Sequence, residues 1–283
     1  MTNETAGRLY VVATPIGNLG DFSVRARETL QRCALIAAED TRHTGLLLRH
    51  FGISTPLLSL HDHNERQRAP ELVLRISAGA DIALVSDAGT PTISDPGYEL
   101  VCACAAAGIQ VIAVPGACAA VAALSVAALP AARFCFEGFL PARASARREQ
   151  LLSLAGEPRT LVFYESPHRI VETLDDCREA LGPGRRAALA RELTKLHESI
   201  YRGTLAELAA RAAASAEFSR GEIVLIIAGA PPLPEQSMAG EMDRVLGVLL
   251  PELPLKQAAR LTAQIVGARD NEAYKRALHL KGA

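Results

Sequence analysis

Ile82-Ala-Leu-Val-Ser-Asp87-Ala-Gly-Thr-Pro-Thr-Ile-Ser-Asp95-Pro-Gly-Tyr98-Glu-Leu-Val101 runs from a short apolar stretch, through a polar turn, into the start of a helix-length segment. Ile82–Ser86 has the length and composition of a buried strand, and Tyr98–Ala107 the length of a helix. The same unit recurs along the chain. Further strands are expected at Leu9–Thr14, Leu35–Glu39, Leu57–Leu60, Val111–Val114, Phe134–Phe136, Thr160–Tyr164, Ala187–Arg191 and Ile223–Ala228. Between them lie helices such as Val24–Cys33, Glu65–Ser77 and Ile170–Leu181, the last with Ile170, Leu174 and Leu181 on one face. Strands alternating with helices predict an α/β fold with mostly parallel sheets.

The chain has 283 residues, more than one domain usually holds, so two compact α/β units are expected. Leu129–Arg148 breaks the rhythm with two prolines and the basic cluster Arg143, Arg147 and Arg148. The expected units are therefore 1–128 and 129–230. Ala228-Gly-Ala-Pro-Pro-Leu-Pro234 reads as a stiff linker and 240–283 as a short helical appendix.

Composition narrows the function. Hydrophobic residues make up 49% of the chain, which excludes a mainly disordered protein. A net charge of −1 provides no global field, so any nucleic-acid partner must be met by local basic patches. The six cysteines form no Cys-x-x-Cys pair and have no histidines at zinc spacing; they read as small core residues of a reducing compartment. The first residues are polar without an apolar signal core, and the Ala/Val-rich run from Ala117 to Ala132 contains Pro130. A soluble, cytoplasmic protein without a membrane segment is expected.

Ligands of open α/β sheets bind where strands end and the chain turns toward a helix. Ala13-Thr-Pro-Ile-Gly-Asn-Leu-Gly20 follows the first strand; it matches no phosphate-binding fingerprint, and a tight turn is its plain reading. Glu39-Asp-Thr-Arg-His43 concentrates two carboxylates, an arginine and a histidine, of which Asp40 or Thr41 alone would be explained as a helix cap. Ser59-Leu-His-Asp-His-Asn-Glu65 has two histidines but no further ligand set, so no metal site is expected. Asp87 and Asp95 bracket the Gly-Thr-Pro turn of the opening segment, where main-chain polar groups and a carboxylate suit a small polar cofactor. Val114-Pro-Gly-Ala-Cys-Ala119 opens a small-residue helix that leaves room for a ligand against backbone amides. Tyr164-Glu-Ser-Pro-His-Arg169 and Arg191-Glu-Leu-Thr-Lys195 decorate two later strand ends.

In this order, Thr-Pro-Ile-Gly-Asn-Leu, Ala-Ala-Glu-Asp-Thr-Arg-His-Thr, Ser-Asp-Ala-Gly-Thr-Pro-x-Ile-Ser-Asp-Pro-Gly, Tyr-Glu-Ser-Pro-His-Arg and Arg-Glu-Leu-Thr-Lys resemble the 16S ribosomal RNA cytidine-2′-O-methyltransferase family, within the tetrapyrrole-methylase-like superfamily. The match spans residues 8 to 230. The resemblance implies two α/β domains with S-adenosylmethionine in the cleft between them, a homodimer, and methylation of a cytidine ribose in the decoding region of the small ribosomal subunit. By position it implies cofactor contacts from Pro15, Leu19, Asp87, Thr90, Ile93, Cys118, Ala119, Tyr164, Leu193 and Thr194. The family often has Pro-Gly-Pro-Ser-Ala where this chain has Pro115-Gly-Ala-Cys-Ala119, which removes a hydroxyl and keeps the backbone.

An alcohol is a weak nucleophile, so a base near the methyl donor is expected. Asp40 with His43, or His63 with Glu65, are the candidates, and Lys195 or Arg42 would orient the 16S rRNA. Candidate phosphate contacts are Arg143, Arg147, Arg148, Arg169, Arg185, Arg186 and Lys195, with Lys256, Arg260, Lys275 and Arg276 near the C-terminus. A tetrapyrrole C-methyltransferase and a non-catalytic RNA-binding assembly factor are the competing readings.

Overall fold

The computed structural model describes residues 7–231 and 235–282. The polar N-terminal stretch up to residue 6 and residues 232–234 of the expected linker lie outside them. By its contacts the chain divides into two compact units, one ending at Ala230 and one starting at Pro231.

In the first unit, strands β1 (Leu9–Val12), β2 (Leu35–Ala38), β3 (Leu57–Ser59), β4 (Ile82–Val85) and β5 (Val111–Val114) form a wholly parallel sheet in the order β3-β2-β4-β1-β5. Every residue of β4 is buried, which is why Ile82–Val85 is an unbroken apolar run rather than an alternating one. Helices α1 (Val24–Arg32), α2 (Thr41–His50), α3 (Glu65–Ser77) and α4 (Tyr98–Ala106) connect the strands. Their starts follow from caps: the Ser23 hydroxyl accepts from Ala26 N at 3.1 Å and Asp40 Oδ1 from Arg42 N at 2.8 Å. One core packs Val12, Leu30, Ile36 and Leu48 on one face of the sheet; another packs Leu9, Leu72, Ile82 and Leu100 on the other. Because the strands are parallel, all their carboxyl ends lie along one edge.

Helix α5 (Ala119–Val126) leads into β6 (Phe134–Phe139), β7 (Thr160–Glu165), β8 (Arg186–Arg191), β9 (Ser199–Thr204) and β10 (Ile223–Ile227), a second sheet in the order β6-β7-β10-β8-β9. Helices α6 (Ala144–Ser153), α7 (Ile170–Leu181) and α8 (Leu205–Ala214) belong to this half. Here the expectation of parallel strands is corrected: only β6 and β7 are parallel, and the other three pairings are antiparallel. The cause lies in two connections. The loop 192–198 joins β8 to β9 without a helix, which forces a hairpin, and β10 inserts between β7 and β8 against both. The expected set of strands omitted β9, since the polar edge segment Ser199-Ile-Tyr-Arg-Gly-Thr204 has no apolar run.

The small side chains of α5 have a different use from the one expected. Ala120, Ala123 and Leu124 pack with Ile16 onto Val162, Ala188, Val224 and Ile226 of the second sheet, so small residues admit the sheet rather than leave room for a ligand. Cys33, Cys104 and Cys177 are buried core thiols, whereas Cys102 is exposed on α4. No helix of the described residues is long and apolar enough to cross a membrane.

The second unit consists of α9 (Glu235–Leu249), α10 (Leu255–Val266) and α11 (Asp270–Leu280). Met242, Leu246, Ala258, Ala263, Ala273 and Ala277 form its core, and Arg276 bridges Asp243 with two hydrogen bonds of 2.5 Å.

Candidate active site

The loops after β1 and β4 are joined. Thr14 and Gly89 exchange backbone hydrogen bonds of 2.8 and 3.1 Å, and the Thr14 hydroxyl donates to Ser86 O at 3.2 Å. Gly97 has φ 125°, and a Cβ there would lie 2.5 Å from Leu84 Cδ2, so only glycine lets α4 begin this close to β4. Thr92 and Ser94 hold left-handed backbone (φ 73° and 65°) without being glycine, strain that persists only where the surroundings enforce it. On the other side, the Tyr164 hydroxyl accepts from Ala120 N at 3.2 Å, and burial pushes its phenol far above the usual range, so it stays protonated. The Phe136 and Phe139 rings meet Tyr164 edge-on at 4.9 and 5.6 Å.

A cavity of about 420 Å³ lies between these loops, within the range of about 300–1,000 Å³ found for small-molecule sites. Its walls differ in chemistry. Ile16, Ile93, Phe139, Tyr164, Leu193 and Val224 form an apolar side, while Glu39, Asp87 and Asp95 supply carboxylates from the ends of β2 and β4 and the loop beyond. Burial, and then the charges of Glu39, Asp87 and Asp62, raise the Asp95 carboxyl to about 6 against the opposing hydrogen bond of Ser86. Burial likewise holds Glu39 above its ordinary value. An apolar slot for a ring system next to carboxylates that favour a cation suits an adenosyl sulfonium group.

Asp87, Thr90, Ile93, Cys118, Ala119, Tyr164 and Leu193 line this cavity together. Thr90 is fixed there by its hydroxyl, which donates to Ala117 O at 3.0 Å. Three other expected contacts are not lining residues: Pro15 is buried, Leu19 is 43% exposed on a single helical turn, and Thr194 lies on the β8–β9 loop. The Thr194 hydroxyl is buried with no hydrogen-bond partner, and its N–H donates to Glu198 at 2.6 Å.

The expected bases are not brought to the cavity. Asp40 caps α2, and its hydrogen bonds to Arg42 hold the carboxyl far below the usual range, leaving a poor proton acceptor; Arg42 is engaged in the same pair. His43 and His63 are exposed outside it. His63 and His61 stand 5.9 Å apart between ring centroids, and among the described residues no group of three ligands could hold a metal ion. Glu65 is buried because its Oε1 accepts from Leu100 N at 3.0 Å, which caps α4. Lys195 pairs with Glu192 at 2.9 Å and Glu222 at 3.2 Å, its stem lying against Gly17. Several expected phosphate contacts are also engaged. Arg147 is buried against Asp176 at 2.6 Å, and the other oxygen of that carboxylate takes Arg148 at the same distance. Arg169 pairs with Glu165, Arg185 donates to Ala155 O and Ala228 O, and Arg276 pairs with Asp243. Arg143, Arg186, Lys256, Arg260 and Lys275 are exposed and form no ion pair among the described residues.

The family model of the Tetrapyrrole (Corrin/Porphyrin) Methylases matches residues 8–209, and that of the RsmI C-terminal HTH domain matches residues 236–281. Ribosomal RNA small subunit methyltransferase I of Pseudomonas aeruginosa is 54% identical over 279 residues, covering 98% of this chain and 99% of its own. This chain belongs to the ribosomal RNA small subunit methyltransferase I family. The Escherichia coli member is 52% identical over 99% of this chain and 98% of its own, so the resemblance read from the motifs extends through the helical unit. The family shares its fold with the methyltransferase CobJ (TM-score 0.59, 21% identity, 80% of this chain and 95% of that one). It also shares it with uroporphyrin-III C-methyltransferase from Thermus thermophilus, solved in complex with S-adenosylhomocysteine (TM-score 0.53, 18% identity, 78% and 97% covered).

Motif reading placed the cofactor loop well and missed what the acids in it do. Asp95 was recognised as the second bracket of the Ser86–Gly97 turn, but its exposure to the cavity depends on the left-handed backbone of Thr92 and Ser94. Glu39 stood in a quoted motif as well, beside the more conspicuous Asp40 and His43.

Proposed function

We propose that this chain transfers the methyl group of S-adenosylmethionine to the ribose 2′-oxygen of a cytidine in the decoding region of 16S rRNA, acting in the cytoplasm as a homodimer on the small ribosomal subunit. The observation that carries the reading is the two-sided cavity at the strand ends, in a chain half-identical to ribosomal RNA small subunit methyltransferases over its whole length. S-adenosylmethionine supplies an activated methyl on a sulfonium, so the protein's task is alignment and proton removal. Ile16, Ile93, Leu193 and Val224 would hold the adenosyl part, and Asp87 with the Thr90 loop its polar end. Pro15, Leu19 and Thr194 would complete the contacts from the flanking loops. Exposed Arg143 and Arg186 in the first unit, and Lys256, Arg260 and Lys275 in the second, are the cations suited to RNA phosphates.

The test is transfer of tritiated methyl from labelled S-adenosylmethionine to small subunits lacking the modification, followed by nucleoside identification. Label on a ribose-methylated cytidine is the expected result. Label on a base, or only on an added tetrapyrrole, overturns the reading. Calorimetry that shows no cofactor binding would make the chain an RNA-binding assembly factor instead.

A further inference from the structure

Five carboxylates line the cavity: Glu39, Asp87, Asp95, Glu165 and Glu222. Glu165 is fully buried and takes hydrogen bonds from Arg169 at 2.5 Å, the Thr173 hydroxyl at 2.7 Å and Ser166 N at 2.7 Å. Glu222 pairs with Lys195. Asp87 Oδ1 accepts from Asp40 N at 3.0 Å, and Glu39 Oε2 from Asp87 N at 3.3 Å, so these two tie the ends of β2 and β4 together. Asp95 differs from all four. Among the described residues it accepts from neither a backbone N–H nor a cation, and its polar partner is the Ser86 hydroxyl.

The fold keeps Asp95 in this position. Ser94, in left-handed backbone, directs the chain toward β6, where Gly138 makes room: a Cβ there would approach the Ser94 hydroxyl to 3.3 Å. The groups that face Asp95 are acidic or neutral: Glu39 from β2, Asp62 from the β3–α3 loop, Asp87 from β4 and the protonated Tyr164 from β7, with Cys118 beside the Tyr164 hydroxyl. Glu165 and Glu222 keep to their own cations.

We propose that Asp95 is the proton acceptor of methyl transfer, its carboxylate taking the proton of the attacking hydroxyl. This rests on the methyltransferase reading above and deepens it, because an oxygen acceptor needs a base where a more basic nitrogen does not. The O–H bond breaks and its proton passes to Asp95. A bond forms between the ribose oxygen and the methyl carbon, and the carbon–sulfur bond breaks with its electron pair kept by sulfur, leaving a neutral thioether. Asp95 then releases the proton to water, and the net reaction liberates one proton.

The deciding experiment compares wild type, Asp95→Asn and Asp95→Glu in single-turnover methyl transfer between pH 5 and 8, with binding of S-adenosylmethionine measured by calorimetry on the same samples. Wild-type turnover should rise with pH through a midpoint near 6. Asp95→Asn should lower turnover by roughly 100-fold or more and lose that rise, while cofactor affinity stays within about threefold of wild type. Asp95→Glu should restore part of the rate together with the rise. Asp95→Asn turnover within a few-fold of wild type, or an unaltered pH profile, overturns the proposal. Loss of cofactor affinity beyond about tenfold also overturns it, since Asp95 would then be a binding group. Absence of transfer by the wild type would refute the methyltransferase reading itself, which separates the two failures.

Discussion

The first sheet and the second border the same cavity with loops equally rich in charge, yet they use that charge differently. In the second sheet almost every charged group is bound to its own loop. Glu165 is held by Arg169, Thr173 and the next backbone N–H; Arg191 donates to the carbonyls of His197, Glu217 and Arg220; Lys195 sits between two glutamates. These bonds fix hairpin and turn conformations that carry left-handed residues at Glu192 and Thr194. In the first sheet the loop 86–97 is shaped mainly by its backbone, through Gly89, Gly97 and the Thr14 bridge, which leaves Asp95 without a cation. A concentration of polar residues at a strand end therefore has two meanings, and hydrogen-bond partners distinguish them.

The contrast should survive substitution in a graded way. The largest effect on folding is expected from Glu165→Ala, which strips a buried acceptor from three donors and leaves Arg169 half-buried and unpaired. A loss of about 3 kcal/mol is expected, read by urea denaturation with the midpoint as the measure. A loss below about 1 kcal/mol would mean that Glu165 is not the organiser of its loop.

Asp95→Asn should act in the opposite sense. The carboxyl stands at about 6 in the folded chain against an ordinary 3.8, so folding favours its protonated form. No penalty exists below the lower value, where both states are protonated. It grows between the two and is complete above 6, where the folded chain must hold the ionised form. Removing the charge should thus raise Tm above pH 6, by stabilisation on the order of 1 kcal/mol once solvent access is discounted, and leave it unchanged near pH 3. A Tm gain of equal size at both pH values would contradict this.

The smallest effect is assigned to Lys195→Ala. A partly exposed pair with Glu192 and Glu222 contributes below about 1 kcal/mol and weakens with salt. Turnover should change by only a few-fold. A hundredfold fall at unchanged stability would return Lys195 to the chemistry and dissolve the distinction between the two rims.

Much of the architecture was legible in local pattern. The helices Glu65–Ser77 and Ile170–Leu181 occupy the expected spans, and the strands of the first sheet begin where their apolar runs begin. Periodicity and caps such as Ser23 act within one or two turns of chain, so they are written in consecutive residues. The motifs around Asp87 and Tyr164 were long enough to mark the family and most of the cavity wall. The amphipathic reading did less well for β9 and for the small-residue helix α5, whose partners come from distant parts of the chain.

By itself, then, the sequence determined the succession of strands and helices, the family, and which loops gather at the parallel sheet's carboxyl edge, because each depends on short-range periodicity or on contiguous motifs. Only the tertiary structure decided that β10 lies between β7 and β8, and which acids are engaged. Glu65 meets Leu100 N across 35 residues and Asp40 N meets Asp87 across 47. Whether a carboxylate is a cap, a tie or a base is set by its neighbours in space, and these pairings leave no periodic trace in the chain.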